Sequence, residues 1–155
     1  MEIALARDSH VPGIIKVWEE LMELHKEIDH RFPLKDNAHL EFKKHIEGIL
    51  KSKDTYILVA LDGSRVAGFS ICQIGRYPPV FQQETYGIIS DMAVKAEFRR
   101  KGTGEKMLKK IYEWFRTQNI DKIELSVAAR NQIGYSFWKK HGFKDYMHRL
   151  YLKIQ

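Results

Sequence analysis

The residues with chemical potential gather between Glu97 and Leu108, in the run EFRRKGTGEKML. Arg99, Arg100 and Lys101 run into Gly102-Thr103-Gly104, and apolar residues at helical spacing follow at once: Met107, Leu108, Ile111, Tyr112 and Phe115. A strand, TYGIISDMAV, precedes the turn. Strand, glycine-rich turn and helix together present backbone N–H groups and the positive helix end to an anion. Glycines let the backbone approach without a Cβ in the way. Hydrogen bonds to charged groups contribute roughly 1.5–3 kcal/mol each, so several can hold a pyrophosphate in water.

Two familiar phosphate motifs do not fit. No Gly-Lys-Ser/Thr follows a glycine at the Walker A spacing, and Met107 stands where a dinucleotide fingerprint needs its third small residue. The residues alone therefore leave two readings, a phosphate cradle or a surface turn before a solvated basic helix. The other candidates are weaker. The single Cys72 lies in an apolar alternating run and reads as a buried thiol. The histidines lack metal-site spacing: neither His25/His30 nor His39/His45 is an i, i+4 pair, so no metal is expected.

The elements that must position the turn follow from periodicity. IALARD reads as a strand, with Ser9 as a helix cap. Residues 12 to 29 read as a helix with Ile14, Ile15, Trp18, Leu21, Met22, His25 and Ile28 on one side. DHRFPLKDN is a loop, and Asn37 would cap a second helix. TYILVAL and RVAGFSICQI form a hairpin about Asp62-Gly63, and RYPPVFQQ is a proline-bearing loop. Ile123, Leu125 and Val127 alternate as a strand. Asn131 caps a last helix ending at Gly142, and MHRLYLKI closes the chain as a strand. The order β-α-α-β-β-β-α-β-α-β predicts an α/β (α+β) fold. Its mixed central sheet has about six to seven strands and four flanking helices.

Length and composition bound the answer. The 155 residues fit one domain, 1–155. An apolar content of 44% and a charged content of 30% suit a globular protein, and no run is long enough to span a membrane. A cytoplasmic protein without membrane association is expected. The net charge of +6 suits a polyanionic partner: nucleic acid, an anionic membrane or a phosphorylated cofactor.

Arg99-x-x-Gly102-x-Gly104 resembles the pyrophosphate-binding motif of the GNAT superfamily of N-acetyltransferases, written Q/R-x-x-G-x-G/A. ISDMAV is similar to that family's splayed central strand. ARNQIGYSFWKKHGF resembles its closing segment, N-x-x-A-x-x-x-Y-x-x-x-G-F. The inferred element order matches the family's over nearly the whole chain. The resemblance implies acetyl-CoA as cosubstrate, acetyl transfer to an amine of a small molecule or protein, and a homodimer, the state common in the family. It places the pyrophosphate on Arg99, Arg100, Lys101, Gly102, Thr103 and Gly104. It places the pantetheine arm on the backbone of Met92, Ala93 and Val94. The start of the last helix lines the other side of the arm, where Asn131, Gly134, Tyr135 and Trp138 share a face.

The chemistry then asks for few groups. An alkyl ammonium is about 0.1% neutral near pH 7.4, a penalty of roughly 4 kcal/mol. Asp91, beside the implied thioester site, is the candidate base, with a solvent-facing or cap-bonding carboxylate as the alternative. The family's thiolate-protonating tyrosine position holds Trp138, and an indole cannot act as such an acid. Tyr135, on nearly the same face, is the candidate substitute, with simple packing as its alternative. For the acceptor, Glu23, Glu27 and Asp29 could attract a cation, and Phe32, Tyr77 and Phe81 could wall a pocket.

Two competing functions remain. One is a non-catalytic acyl-CoA-binding domain, motivated by Trp138. The other is a nucleic-acid binder, motivated by the basic run. The second is disfavoured because CoA's phosphates already account for the charge and no aromatic-basic stripe appears.

Overall fold

The chain was analysed as a computed structural model that describes residues 1–29 and 33–155. Alternation of apolar residues lays down β1 (Glu2–Leu5), β2 (Thr55–Asp62), β3 (Arg65–Arg76), β4 (Thr85–Val94) and a short β5 (Ile123–Glu124). They form one sheet in the order β1-β2-β3-β4-β5. The first three pairings are antiparallel, and β4 to β5 is parallel because helix α3 (Thr103–Thr117) crosses between them. Gly63, at φ +61°, makes the tight β2–β3 turn.

Helices cover both faces, which is why β2 and β3 read as nearly continuous apolar runs. On one face, α1 (Val11–Ile28) and α2 (Ala38–Ile49) pack Ile14, Val17, Phe42 and Ile46 against Val59, Phe69 and Ile71. Trp18 and Phe42 stack at 4.3 Å there. On the other face, α3 packs Leu108, Ile111 and Phe115 against Leu58, Cys72 and Ile89. A Cβ on Gly87 would come within 2.7 Å of the Phe115 ring, so the absence of a side chain lets α3 approach β4. The last helix, α4 (Gln132–Lys140), packs only partly and has no fully buried residue.

Most expected elements form, with local corrections. Pro12 sits in the first turn of α1, where its missing N–H costs nothing. Ser9 does not cap α1, because residues 8–10 first make a 3-10 turn and His10 holds the cap position. Asn37 holds the cap position of α2 without a side-chain hydrogen bond. The loop expected around DHRFPLKDN includes His30 and Phe32, which lie outside the described residues.

The sheet has five strands rather than six or seven. Residues 144–155, expected to close the chain as a strand, are all exposed and extend outside the sheet. The physical reason is the brevity of β5. Only Ile123 and Glu124 pair with β4, so the outer edge is too short within one chain to template a further strand.

Candidate active site

The site begins with an irregularity in β4. Ile89 pairs with Cys72 and Asp91 with Ile71, so Ser90 is an extra residue, a β-bulge. The Ser90 hydroxyl donates to Ile71 O at 3.0 Å. The bulge reverses the facing of everything after it. Ile89 faces α3, and without the bulge Asp91 would do the same. Instead Asp91 shares a face with Ala93, which packs in the α1/α2 core. Met92 and Val94 turn toward Met107 and Phe98 on the α3 side.

Asp91 is half-buried on that face. Burial pushes its carboxyl up to about 6, with His25 of α1 as the nearby group that opposes the shift. The His25 Nδ1 lies 3.0 Å from Leu21 O, which fixes its ring.

The last β4–β5 pair is Ile88 with Glu124, and beyond it the strands part. Ser90 is consequently exposed in mid-strand, and the edge of β4 through Met92, Ala93 and Val94 has no neighbouring strand among the described residues. That open edge leads directly into the glycine turn.

The turn is held from below. The Arg99 Nε donates to Val94 O at 2.8 Å, and its Nη2 lies 3.7 Å from Glu20. Glu20 also accepts from Ala96 N at 2.7 Å. Arg99 thus clamps the turn to the end of β4 and to α1, instead of pointing outward as a phosphate cation. Lys101 leans over the Phe98 ring at 5.7 Å.

Arg100 and Gly102 take positive φ, +61° and +77°, and bring the chain to the first turn of α3. Lys106 N donates to Gly102 O, so the N–H groups of residues 103–105 fall in the unpaired part of the helix start. Thr103 is buried, and its hydroxyl has no hydrogen-bond partner among the described residues. The two glycines serve different purposes. Gly102 supplies a left-handed conformation in open space. At Gly104 a Cβ would lie 3.1 Å from Phe137 and 3.3 Å from Met92.

Phe137 joins the turn to α4. At the start of that helix, Asn131 Oδ1 accepts from Gly134 N at 2.9 Å, the expected cap. Trp138 is half-buried and packs edge-on against Phe137 and Phe143, at 5.0 and 5.2 Å. The Tyr135 hydroxyl donates to Asp145 at 2.9 Å, and that hydrogen bond is the main cause of its raised pKa.

The structure therefore brings together Met92, Gly104 and, through Phe137, the base of α4. Asp91 lies across the sheet from them, facing α1. An open groove of about 1030 Å³ runs along α1, lined by Glu19, Glu23, His25 and Asp29. Tyr77 and Phe81 do not line it. Tyr77 donates to Glu124 and stacks on Tyr86 at 4.2 Å, beside β5.

Sequence reasoning did not single out Ser90, Glu20 or Phe137. For His25 the signal was present, as a titratable ring on the apolar spacing of α1.

Residues 17–143 match the acetyltransferase (GNAT) family. The match covers most of the chain, and the protein belongs to that family. No curated protein matches it significantly. Among solved structures, a tetramutant of the BH1408 protein from Bacillus halodurans superposes with a TM-score of 0.85 at 21% identity, covering 99% of this chain and 100% of that one. The aminoglycoside antibiotic 6'-N-acetyltransferase AAC(6')-IG from Acinetobacter haemolyticus gives 0.80 at 14% identity, covering 100% and 99%. A predicted acetyltransferase with acetyl-CoA from Clostridium acetobutylicum gives 0.79 at 18%, covering 98% and 95%. At these identities the likeness concerns the fold.

Proposed function

We propose that this family member transfers an acetyl group from acetyl-CoA to a primary amine of a small molecule or protein, directly, with both substrates bound. The observation that carries the reading is the open edge of β4 running into the glycine turn at the start of α3. The residues fit the cofactor. The buried, unpartnered Thr103 hydroxyl and the helix-start N–H groups are donors awaiting an anion. In this reading the backbone of Met92, Ala93 and Val94 holds the pantetheine arm. The turn from Arg99 to Gly104 holds the pyrophosphate, with Arg100 and Lys101 adding charge. Asn131, Gly134 and Trp138 form the opposite wall. Acetyl-CoA supplies the acetyl group already activated as a thioester.

The chain's own groups then manage protons. Asp91, with a pKa near 6, is ionised at neutral pH and takes the ammonium proton directly or through a water. The acidic side chains of the α1 groove, Glu19, Glu23 and Asp29, draw a cationic acceptor toward that face. Tyr135 keeps its proton because Asp145 accepts it, which makes the phenol a reluctant donor. Backbone placement of the two substrates supplies the larger share of the rate.

A CoA-release assay across a broad amine panel tests the reading. Turnover well above hydrolysis with at least one amine supports it, and none with any amine removes its main support. The engaged Tyr135 hydroxyl and Trp138 favour one alternative, a non-catalytic acyl-CoA-binding domain. In that case acetyl-CoA binds, and Asp91→Asn leaves any residual turnover unchanged.

A further inference from the structure

Six of the thirteen large apolar side chains exposed among the described residues lie in the last ten positions: Tyr146, Met147, Leu150, Tyr151, Leu152 and Ile154. Leu150, Leu152 and Ile154 are 92%, 86% and 89% exposed. They alternate with Arg149, Tyr151 and Lys153, which gives an extended segment one apolar and one mostly polar face. That is the pattern of a strand on a sheet with one covered face. Soluble monomers rarely present so concentrated an apolar surface.

The same chain holds a matching vacancy in its sheet. β5 is the outermost strand, paired on one side only. Leu125 and Val127 continue its alternation beyond the two paired residues and are only half-buried. Trp138 and Phe143 beside them are also half-buried, and α4 has no fully buried residue. This corner of the core lacks a layer.

The root of the tail is fixed. Asp145 accepts from Tyr135 and lies 3.6 Å from Lys139, both on α4. The Tyr146 ring lies 4.4 Å from Lys122, immediately before β5. The alternating segment begins only after these ties. No Gly, Pro or Asn follows Gly142 to make the turn that would fold it back onto its own edge. Among the described residues no backbone hydrogen bond joins residues 144–155 to β5.

We propose that residues 147–154 add a strand to the β5 edge of a second copy of this chain. The exchange is reciprocal, so two tails and two edges close a two-fold dimer. At about 3.3 Å per residue the segment reaches roughly 26 Å, enough to run the length of the Ile123–Val127 edge and beyond. The incoming apolar face covers Leu125, Val127 and Trp138, so each copy completes the α4 side of the other's candidate site. The inference stands on the tail and the edge and does not depend on acyl-transfer chemistry.

Light scattering on the eluting full chain at micromolar concentration should give the mass of two chains. Leu150→Asp with Leu152→Asp should return the mass of one chain with an unchanged far-UV spectrum, weakening dimerisation on the order of 1,000-fold or more. Hydrogen exchange on the unmodified chain provides a second readout, which decides the matter if the double variant fails to fold. Amides 147–154 should be protected in the dimer and lose protection on dilution to monomer. A monomeric full chain, a dimer that survives the double substitution, or a dimer with unprotected tail amides would overturn the proposal.

Discussion

Asp91 combines a functional demand with a structural cost. Its folded pKa, about 6, lies above the ordinary aspartate value of 3.8. A group whose folded pKa is raised adds stability that is complete below the unfolded value and lost as pH rises through the folded one. Ionised Asp91 therefore destabilises the protein at neutral pH, by on the order of 2 kcal/mol. Asp91→Asn should raise the Tm at pH 7.5, and the difference should vanish near pH 3.5, a comparison two calorimetric scans can make. The same substitution should lower kcat/KM by about 10²–10⁴-fold and abolish a rise in rate centred near pH 6. Equal melting temperatures at pH 7.5 would show that the carboxylate is well solvated. Tyr135→Phe, by contrast, should lower kcat by no more than about threefold, because Asp145 already holds the phenolic proton. A loss of about 100-fold would make Tyr135 the acid that protonates the leaving group.

At the scale of elements, the bulge in β4 decides which face Asp91 serves. Deleting Ser90 should restore regular pairing, swing Asp91 toward the α3 core and bury its carboxylate among Leu108 and Ile111. The deletion variant should lose activity and stability together, whereas Ser90→Ala should cost only about 1 kcal/mol. A deletion variant with wild-type activity would contradict the assignment of faces. The bulge was not legible in the sequence. An extra strand residue has no obligatory side chain here, and the adjacent Ile88 and Ile89 were its only trace. The turn was legible, since Gly102 and Gly104 announce backbone demands. Their different reasons were not, because the contact between Gly104 and Phe137 joins residues far apart in sequence. Gly104→Val should push Phe137 away and raise the KM for acetyl-CoA roughly tenfold or more with little change in overall fold, as a circular dichroism and kinetics comparison would show.

For the molecule as a whole, periodicity recovered the order of helices and strands through α4, because each buried face imposes its own repeat. It failed at the tail for the opposite reason. The alternation from His148 to Ile154 is real, but the surface that would bury it lies outside the single chain. Clamping by Arg99 was likewise hidden, since a basic residue beside a glycine turn looks the same whether it faces phosphate or Val94 O. The net charge of +6 acts at this scale through steering. Raising ionic strength from about 0.05 to 0.5 M should raise the KM for acetyl-CoA roughly threefold while leaving kcat nearly unchanged.

The most direct test of the central claim is a calorimetric titration of acetyl-CoA into the full chain and into Gly102→Glu. That substitution places a carboxylate, in a strained left-handed conformation, where the pyrophosphate is proposed to sit. The account predicts micromolar binding to the unmodified protein and its loss in the variant, with both proteins folded. No binding to the unmodified protein, or equal binding to both, would contradict it.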